Sequence, residues 1–159
     1  MGFQTTVNLQ QAPAVAGDFA TANPRASFPA GEGQYVAAAA GVTVGRFAWI
    51  DAVTGLVSNT GTGKPDGFIH REQQALISVY LAETSSVVPQ GFPVTVMRTG
   101  DYWATATVAA AVKGNKVFAK LSDGTVQAGA AGATIAGFIE TDFVITQGCA
   151  LNELAVITL

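Results

Sequence analysis

Charge is scarce in this sequence: only 12% of its 159 residues are charged, against about 25% in ordinary soluble domains. A solitary domain uses surface charge to keep its neighbours at a distance. Partner surfaces are therefore expected to cover much of this exterior. The eight basic residues are spread from Arg25 to Lys120 within a net charge of −3. Phosphate neutralisation needs Lys and Arg in clusters, so direct nucleic-acid binding is not expected. The loose group Lys113, Lys116 and Lys120 reads as a solvated strand edge. The single cysteine, Cys149, excludes an intrachain disulfide and suits a reducing compartment such as a cytoplasm. The single histidine, His70, excludes a multi-histidine metal site. No apolar run approaches the length of a membrane-spanning helix, and the first residues lack the charged and apolar regions of a secretory signal.

Runs of Leu, Glu, Lys and Arg, the material of long helices, are also missing. Ala, Gly, Val and Thr supply about half of the chain instead. Val and Thr favour strands, and Gly and Pro punctuate turns. The expected fold is all-β: a jelly-roll-like sandwich or barrel of many short strands in one domain.

Residues 1–34 read as an extended N-terminal arm ahead of a β domain over 35–159. The arm holds a strand-like piece from Thr5 to Leu9, then Gln-, Ala- and Pro-rich sequence with Phe3, Phe19 and Phe28 as isolated apolar anchors. Within the β domain, strands are expected around 42–44, 47–51, 56–58, 68–70, 94–97, 102–108, 143–145 and 154–159. Residues 74–83 fit a helix face or a strand, with strand favoured by the surroundings. Pro65-Asp66-Gly67 is read as a turn in which Gly supplies a positive φ. Segments of about 42–70 and 112–140 resemble each other: strand, Gly turn, short strand, Gly-rich loop, strand. Two such units could pack face to face. Phe47, Trp49, Phe68, Phe118 and Phe138 are then expected in the core.

No constellation of catalytic residues emerges. Gly61-Thr62-Gly63-Lys64-Pro65 fails as a phosphate loop, because Ser58 replaces the first Gly and Pro65 replaces the hydroxyl residue. Gly129-Ala130-Ala131-Gly132 has no strand–helix context for a dinucleotide. Neither Cys149 nor a serine has His70 in its sequence neighbourhood as base. Asp101, beside Tyr102 and Trp103, is the best seed for a carboxylate pair. His70, Arg71 and Glu72 could form a polar interaction cluster or a plain solvated strand end. The expectation is a protein with no enzymatic activity, no cofactor and no metal, acting through its surfaces. The candidate interface residues are Phe3, Leu9, Phe19 and Arg25.

Several stretches occur together in one order: Gly2-Phe3-Gln4-Thr5-Thr6-Val7-Asn8, Pro13-Ala14-Val15-Ala16-Gly17-Asp18-Phe19, Asn23-Pro24-Arg25-Ala26-Ser27, Val44-Gly45-Arg46-Phe47-Ala48-Trp49, and Gly67-Phe68-Ile69-His70-Arg71-Glu72-Gln73-Gln74-Ala75-Leu76-Ile77. In order and spacing the chain resembles the structural cement, or decoration, proteins of tailed-bacteriophage capsids. That resemblance implies a jelly-roll-like fold and a place on the outer surface of the head. It also implies that the protein bridges neighbouring major capsid protein subunits, often as a homo-oligomer, after synthesis in the host cytoplasm. Two alternatives remain: a carbohydrate-binding β-module with Trp49, Tyr102 and Trp103 lining an exposed groove, and a β-domain of a virion tail or fibre.

Overall fold

The computed structural model describes residues 13–31, 33–72 and 86–159. The described residues form strands and no helix. In chain order the strands are β1 (Ala26–Ser27), β2 (Val36–Ala37), β3 (Val42–Thr43), β4 (Phe47–Ile50), β5 (Leu56–Ser58), β6 (Gly67–Ile69), β7 (Val87–Val88), β8 (Val96–Thr99), β9 (Asp101–Thr105), β10 (Lys116–Lys120), β11 (Val126–Gly129), β12 (Phe138–Gln147) and β13 (Leu154–Thr158). They build a sandwich-like arrangement of a six-stranded sheet, β1-β8-β6-β4-β5-β2, and a five-stranded sheet, β11-β10-β12-β13-β9, beside the small pair β3-β7. Residues 74–83 lie outside the described residues.

Two cores follow from the alternation of side chains along each strand. Phe47, Trp49, Phe68 and Met97 of the six-stranded sheet meet Tyr102, Val117, Ala119, Phe143, Ile145 and Ile157 of the five-stranded one. On the other face of β4, Ala48 joins Val42, Val57, Ile69 and Val96 in a second core. Strands β8 and β9 are one run that passes from the first sheet to the second at Gly100, which adopts a φ of 137°. This is the corner device expected where a strand switches sheets. A side chain at Gly100 would also strike the Tyr102 hydroxyl, so both conformation and space require glycine there.

The two resembling segments have the same local topology. β4 lies between β5 and β6, and β10 lies between β11 and β12. Their first hairpins match bond for bond. In one, Asp51 N–H donates to Leu56 O and Gly55 N–H to Asp51 O, both at 2.8 Å; in the other, Lys120 N–H donates to Thr125 O at 2.9 Å and Gly124 N–H to Lys120 O at 2.8 Å. Gly55 and Gly124 close these turns at φ 69° and 68°, the left-handed position that three- to five-residue hairpins assign to Gly. Counted back from each glycine, Trp49 and Phe118 occupy the same place.

Like faces do not meet, however. Trp49 points into the core between the sheets. Phe118 points away from it and is buried against Gly129 and Ile135, in and beyond β11. The Phe47–Trp49 face of one unit therefore packs on the Val117–Ala119 face of the other. Of the five aromatics expected inside, Phe47, Trp49, Phe68 and Phe118 are buried, whereas Phe138, first residue of β12, is only partly buried. The turn read at Pro65-Asp66-Gly67 also needs correction. Gly67 has no positive φ and belongs to β6. It is glycine because a Cβ would lie 2.4 Å from Met97 O of neighbouring β8.

Candidate interaction surface

The described part of the N-terminal segment is fastened along its own chain. Gly17 N–H donates to Trp103 O at 2.7 Å, Trp103 N–H to Asp18 O at 2.9 Å, and Ala20 N–H to Asp101 O at 2.9 Å. β1 then pairs with β8, and Phe28 N–H donates to Val96 O at 2.9 Å. Residues 17–28 thus run antiparallel to β8–β9 from Val96 to Trp103, with extra residues at 21–25. That excess is gathered by one carboxylate: Asp101, 7% exposed, accepts hydrogen bonds from Thr21 Oγ1 and from Asn23 Nδ2, the latter at 2.6 Å. Its role is structural. A carboxylate held by this clasp is not poised as a general acid or base.

Gly17 also accepts a hydrogen bond from Arg71 N–H at 2.8 Å, so the same segment joins the edge of the second sheet to the strand end that follows β6. Arg71 pairs with Asp18 at 3.2 Å. Above this junction, Phe19 stacks on His70 with ring centroids 4.0 Å apart and planes 24° apart. The Arg25 guanidinium lies 3.7 Å from the Phe19 ring centre. Two planar groups so near one ring centre must occupy its opposite faces, so Phe19 is held between Arg25 and His70. The contact combines stacking with a cation–π attraction. Two candidate interface residues, Phe19 and Arg25, are thereby brought together with His70 and Arg71. The other two, Phe3 and Leu9, lie outside the described residues.

The same corner gathers the chain at three points. Ala16 touches Gly45, Arg71 bonds Gly17, and Val44 N–H donates to Ser86 O at 2.8 Å.

Burial of the His70 imidazole lowers its pKa from the ordinary 6.5. Arg25 adds to the lowering, whereas Glu72, Asp18 and the Gly17 backbone oppose it. The unfolded chain thus binds this proton more readily than the folded one, so stability is full above about pH 6.5 and falls as pH drops through that value. Asp101 behaves differently. Burial alone would raise its pKa, but hydrogen bonds from Thr21, Thr158 and Asn23 outweigh it and leave the value below 3.8. Its contribution is present above pH 3.8 and is lost only below it. Thermal melts between pH 7.5 and 5 are expected to show a falling midpoint in the wild-type chain and a flatter profile in His70→Asn. Equal slopes would remove His70 as the cause.

The other sequence candidates do not assemble a chemical site. Trp49 and Tyr102 are buried at 8% and 0% exposure, and Tyr102 donates its hydroxyl to Thr99 O at 2.7 Å. The aromatic groove of a carbohydrate-binding module is therefore not formed. The stretch Gly61–Pro65 closes over the indole instead, with Trp49 Nε1–H donating to Gly63 O at 3.0 Å. Among the described residues no three His, Cys, Asp or Glu side chains gather as metal ligands. The Asp101 clasp escaped sequence reasoning because Thr21 and Asn23 lie some eighty positions from the carboxylate they bind.

Residues 3–159 match the family described as XM1 gp53 minor capsid protein. Among solved structures the chain is similar to one in the capsid of Myoviridae phage XM1. The two are 23% identical with a TM-score of 0.72, and the likeness covers 99% of this chain and 97% of that one. No curated protein matches.

Proposed function

The chain belongs to the XM1 gp53 minor capsid protein family and is a structural component of a phage virion, and from that premise we propose that it is a cement subunit. In this reading it sits on the outer surface of the head and clamps neighbouring major capsid protein subunits against the pressure of packaged DNA. It acts without catalysis or cofactor, and it is made in the host cytoplasm before it joins the shell. The observation that carries the proposal is the corner built by Phe19, Arg25, His70 and Arg71. Arg25 is exposed there, and no ion pair holds its guanidinium among the described residues. A corner of this kind suits a shell subunit that reaches its neighbours with an N-terminal arm.

A ligand that binds only the assembled lattice stabilises it by linkage, by about 2.7 kcal/mol per site at 100 times its dissociation constant. Heads prepared without the protein are expected to release DNA at a lower temperature than heads to which it has been added back. A chain beginning at Pro13 should restore less of that protection. Arg25 and Arg71 are charged at this corner but the chain as a whole carries few charges, so moderate salt should weaken the protection only in part. Identical release temperatures with and without the protein would end the cement reading. Full protection by the shortened chain would remove the arm from it.

A further inference from the structure

Residues 13–28 lie on the sandwich as a strap that adds no fully buried side chain to either core. Gly17 alone among them is buried, and residues 21–27 are exposed throughout. Three backbone hydrogen bonds hold the strap to the outer edge of β9: Gly17 N–H to Trp103 O, Trp103 N–H to Asp18 O and Ala20 N–H to Asp101 O. The Asp101 clasp and the Phe19 ring complete the attachment. A segment with so few buried apolar contacts can open locally while the rest of a fold stays closed. The side chain that opposes this opening is Phe19, whose ring covers the His70 imidazole at 4.0 Å.

His70 is poorly placed to carry a charge. Its side chain is 15% exposed, and its Nδ1 is buried without a hydrogen-bond partner among the described residues. The imidazolium carries an N–H on both nitrogens, so protonation creates a buried donor with nothing to receive it. The charged groups that act on the ring are Asp18 and Arg25 from the strap and Glu72 from the strand end that carries it. Glu72 Oε1 lies 3.6 Å from Nε2, beyond hydrogen-bond distance. Asp18 is already paired with Arg71 at 3.2 Å, and the Gly17 carbonyl already accepts the Arg71 N–H. The other residues gathered there, Val44, Val88, Pro93, Val94 and Thr95, bring no charge. Tyr102, in contact with Phe19, stays neutral because burial pushes its pKa up to about 12. Water reaches a charged His70 freely only if Phe19 lifts. We propose that residues 17–25 are a latch on β9 that protonation of His70 releases while the sandwich stays folded. Release bares the Trp103 N–H and the carbonyls of Asp101 and Trp103, an unpaired edge on which another strand can add. The latch follows from the geometry of the corner and does not depend on the cement reading.

Amide hydrogen exchange of the full chain at pH 7.5 and pH 5, followed by NMR and corrected for the intrinsic rate at each pH, tests it. That interval lies above the range in which ordinary carboxylates titrate, about pH 4. The amides of Gly17, Ala20 and Trp103 should lose protection several-fold on acidification, up to the roughly thirtyfold that an ordinary imidazole permits at pH 5. At pH 5 they should also be at least roughly tenfold less protected than the amides of Phe47 and Ile145, which bond to Gly124 O and Asn115 O within the sandwich. His70→Phe keeps a ring beneath Phe19 and removes the proton, so protection of the strap amides should then be the same at both pH values. Phe19→Ala removes the cover, so the His70 imidazole, followed by its own NMR signal, should titrate nearer the ordinary 6.5 than it does in the wild-type chain. A thermal melt of each variant verifies folding. Strap amides as protected as Phe47 and Ile145 would show that the segment opens only with the whole fold, and would overturn the proposal. So would protection indifferent to pH in the wild-type chain, a pH dependence that survives His70→Phe, or a His70 titration unmoved by Phe19→Ala.

Discussion

Gly124→Ala is expected to destabilise the fold by about 3–5 kcal/mol, whereas Gly55→Ala costs about 1–2 kcal/mol. Both glycines close the same kind of turn at the same φ, 68° and 69°, so the conformational penalty on a side chain is common to both. Their surroundings differ. A Cβ at Gly55 would meet nothing nearer than the Tyr35 ring at 3.9 Å. At Gly124 it would lie 2.1 Å from Phe47 O and 3.2 Å from Phe47 N. That approach exists because Phe47 N–H donates to Gly124 O at 2.9 Å, a bond that ties the turn of the second unit to β4 of the first. An alanine must push the two sheets apart or break that bond. In thermal melts the Gly124 variant should lose roughly 10 °C and the Gly55 variant roughly a third of that, at about 2–4 °C per kcal/mol for a chain of this length. Equal losses would mean that the contact between the units contributes nothing.

The pair also explains how a repeated hairpin builds an unrepeated molecule. Register from turn to strand is fixed locally, by the turn and the bonds that close it. Which face of each unit is buried is decided by the partner it packs on. In the first unit Phe47 and Trp49 fill the inter-sheet core, and Ala48 turns to the second core. In the second unit the smaller Val117 and Ala119 turn inward. The large ring of Phe118 lies outside that core over Gly129, where a side chain would strike it at 2.9 Å. Where the two units meet, the large Phe47 and Trp49 thus face the small Val117 and Ala119, and a ring in place of either small residue would overfill that part of the core.

These local and non-local terms mark what could be read in the sequence. The all-β class, the strands around 42–44, 47–51, 56–58 and 154–159, and the burial of Phe47, Trp49, Phe68 and Phe118 all follow from short-range pattern and turn chemistry. The two-residue strands β1, β2 and β7 are too short to carry a period and exist only through their partners. β12, ten residues long, is legible only in two pieces, the closing strand of the second unit at Phe138-Ile139 and the apolar stretch Phe143 to Ile145, and not as one continuous strand. Gly67 shows the limit of reading glycine as a turn residue, since its reason is the backbone of β8 across the sheet. Phe19, Arg25 and His70 each stood out in the sequence for a different reason. Their union depends on the antiparallel run of residues 17–28 along β8–β9, which no local signal announces.

The other large effect is expected at Phe47. Its ring meets Phe68 of its own sheet edge-on, at 5.4 Å and 75°, and Phe143 of the opposite sheet at 5.5 Å and 71°. It is 1% exposed. Truncation to alanine removes the transfer free energy of a buried ring and leaves a cavity walled by both sheets, at a cost of about 3–5 kcal/mol. Each aromatic pair adds about 0.5–1.5 kcal/mol beyond burial, which places Phe47 toward the upper end. The backbone of the residue is held independently, by Gly124 O and by Asn59 Nδ2 on its carbonyl at 3.0 Å. β4 should therefore keep its place, and the walls should collapse only in part. Phe138→Ala is the matched comparison, because that ring is only partly buried at the start of β12 and should cost less, about 1–2 kcal/mol. Urea denaturation of the two variants, read at a common slope so that stability alone is compared, separates them. A Phe47 variant within 1.5 kcal/mol of wild type, about the cost of a volume-conserving core substitution, would show that the two sheets are joined chiefly through Tyr102 and the β8–β9 corner and not through this ring.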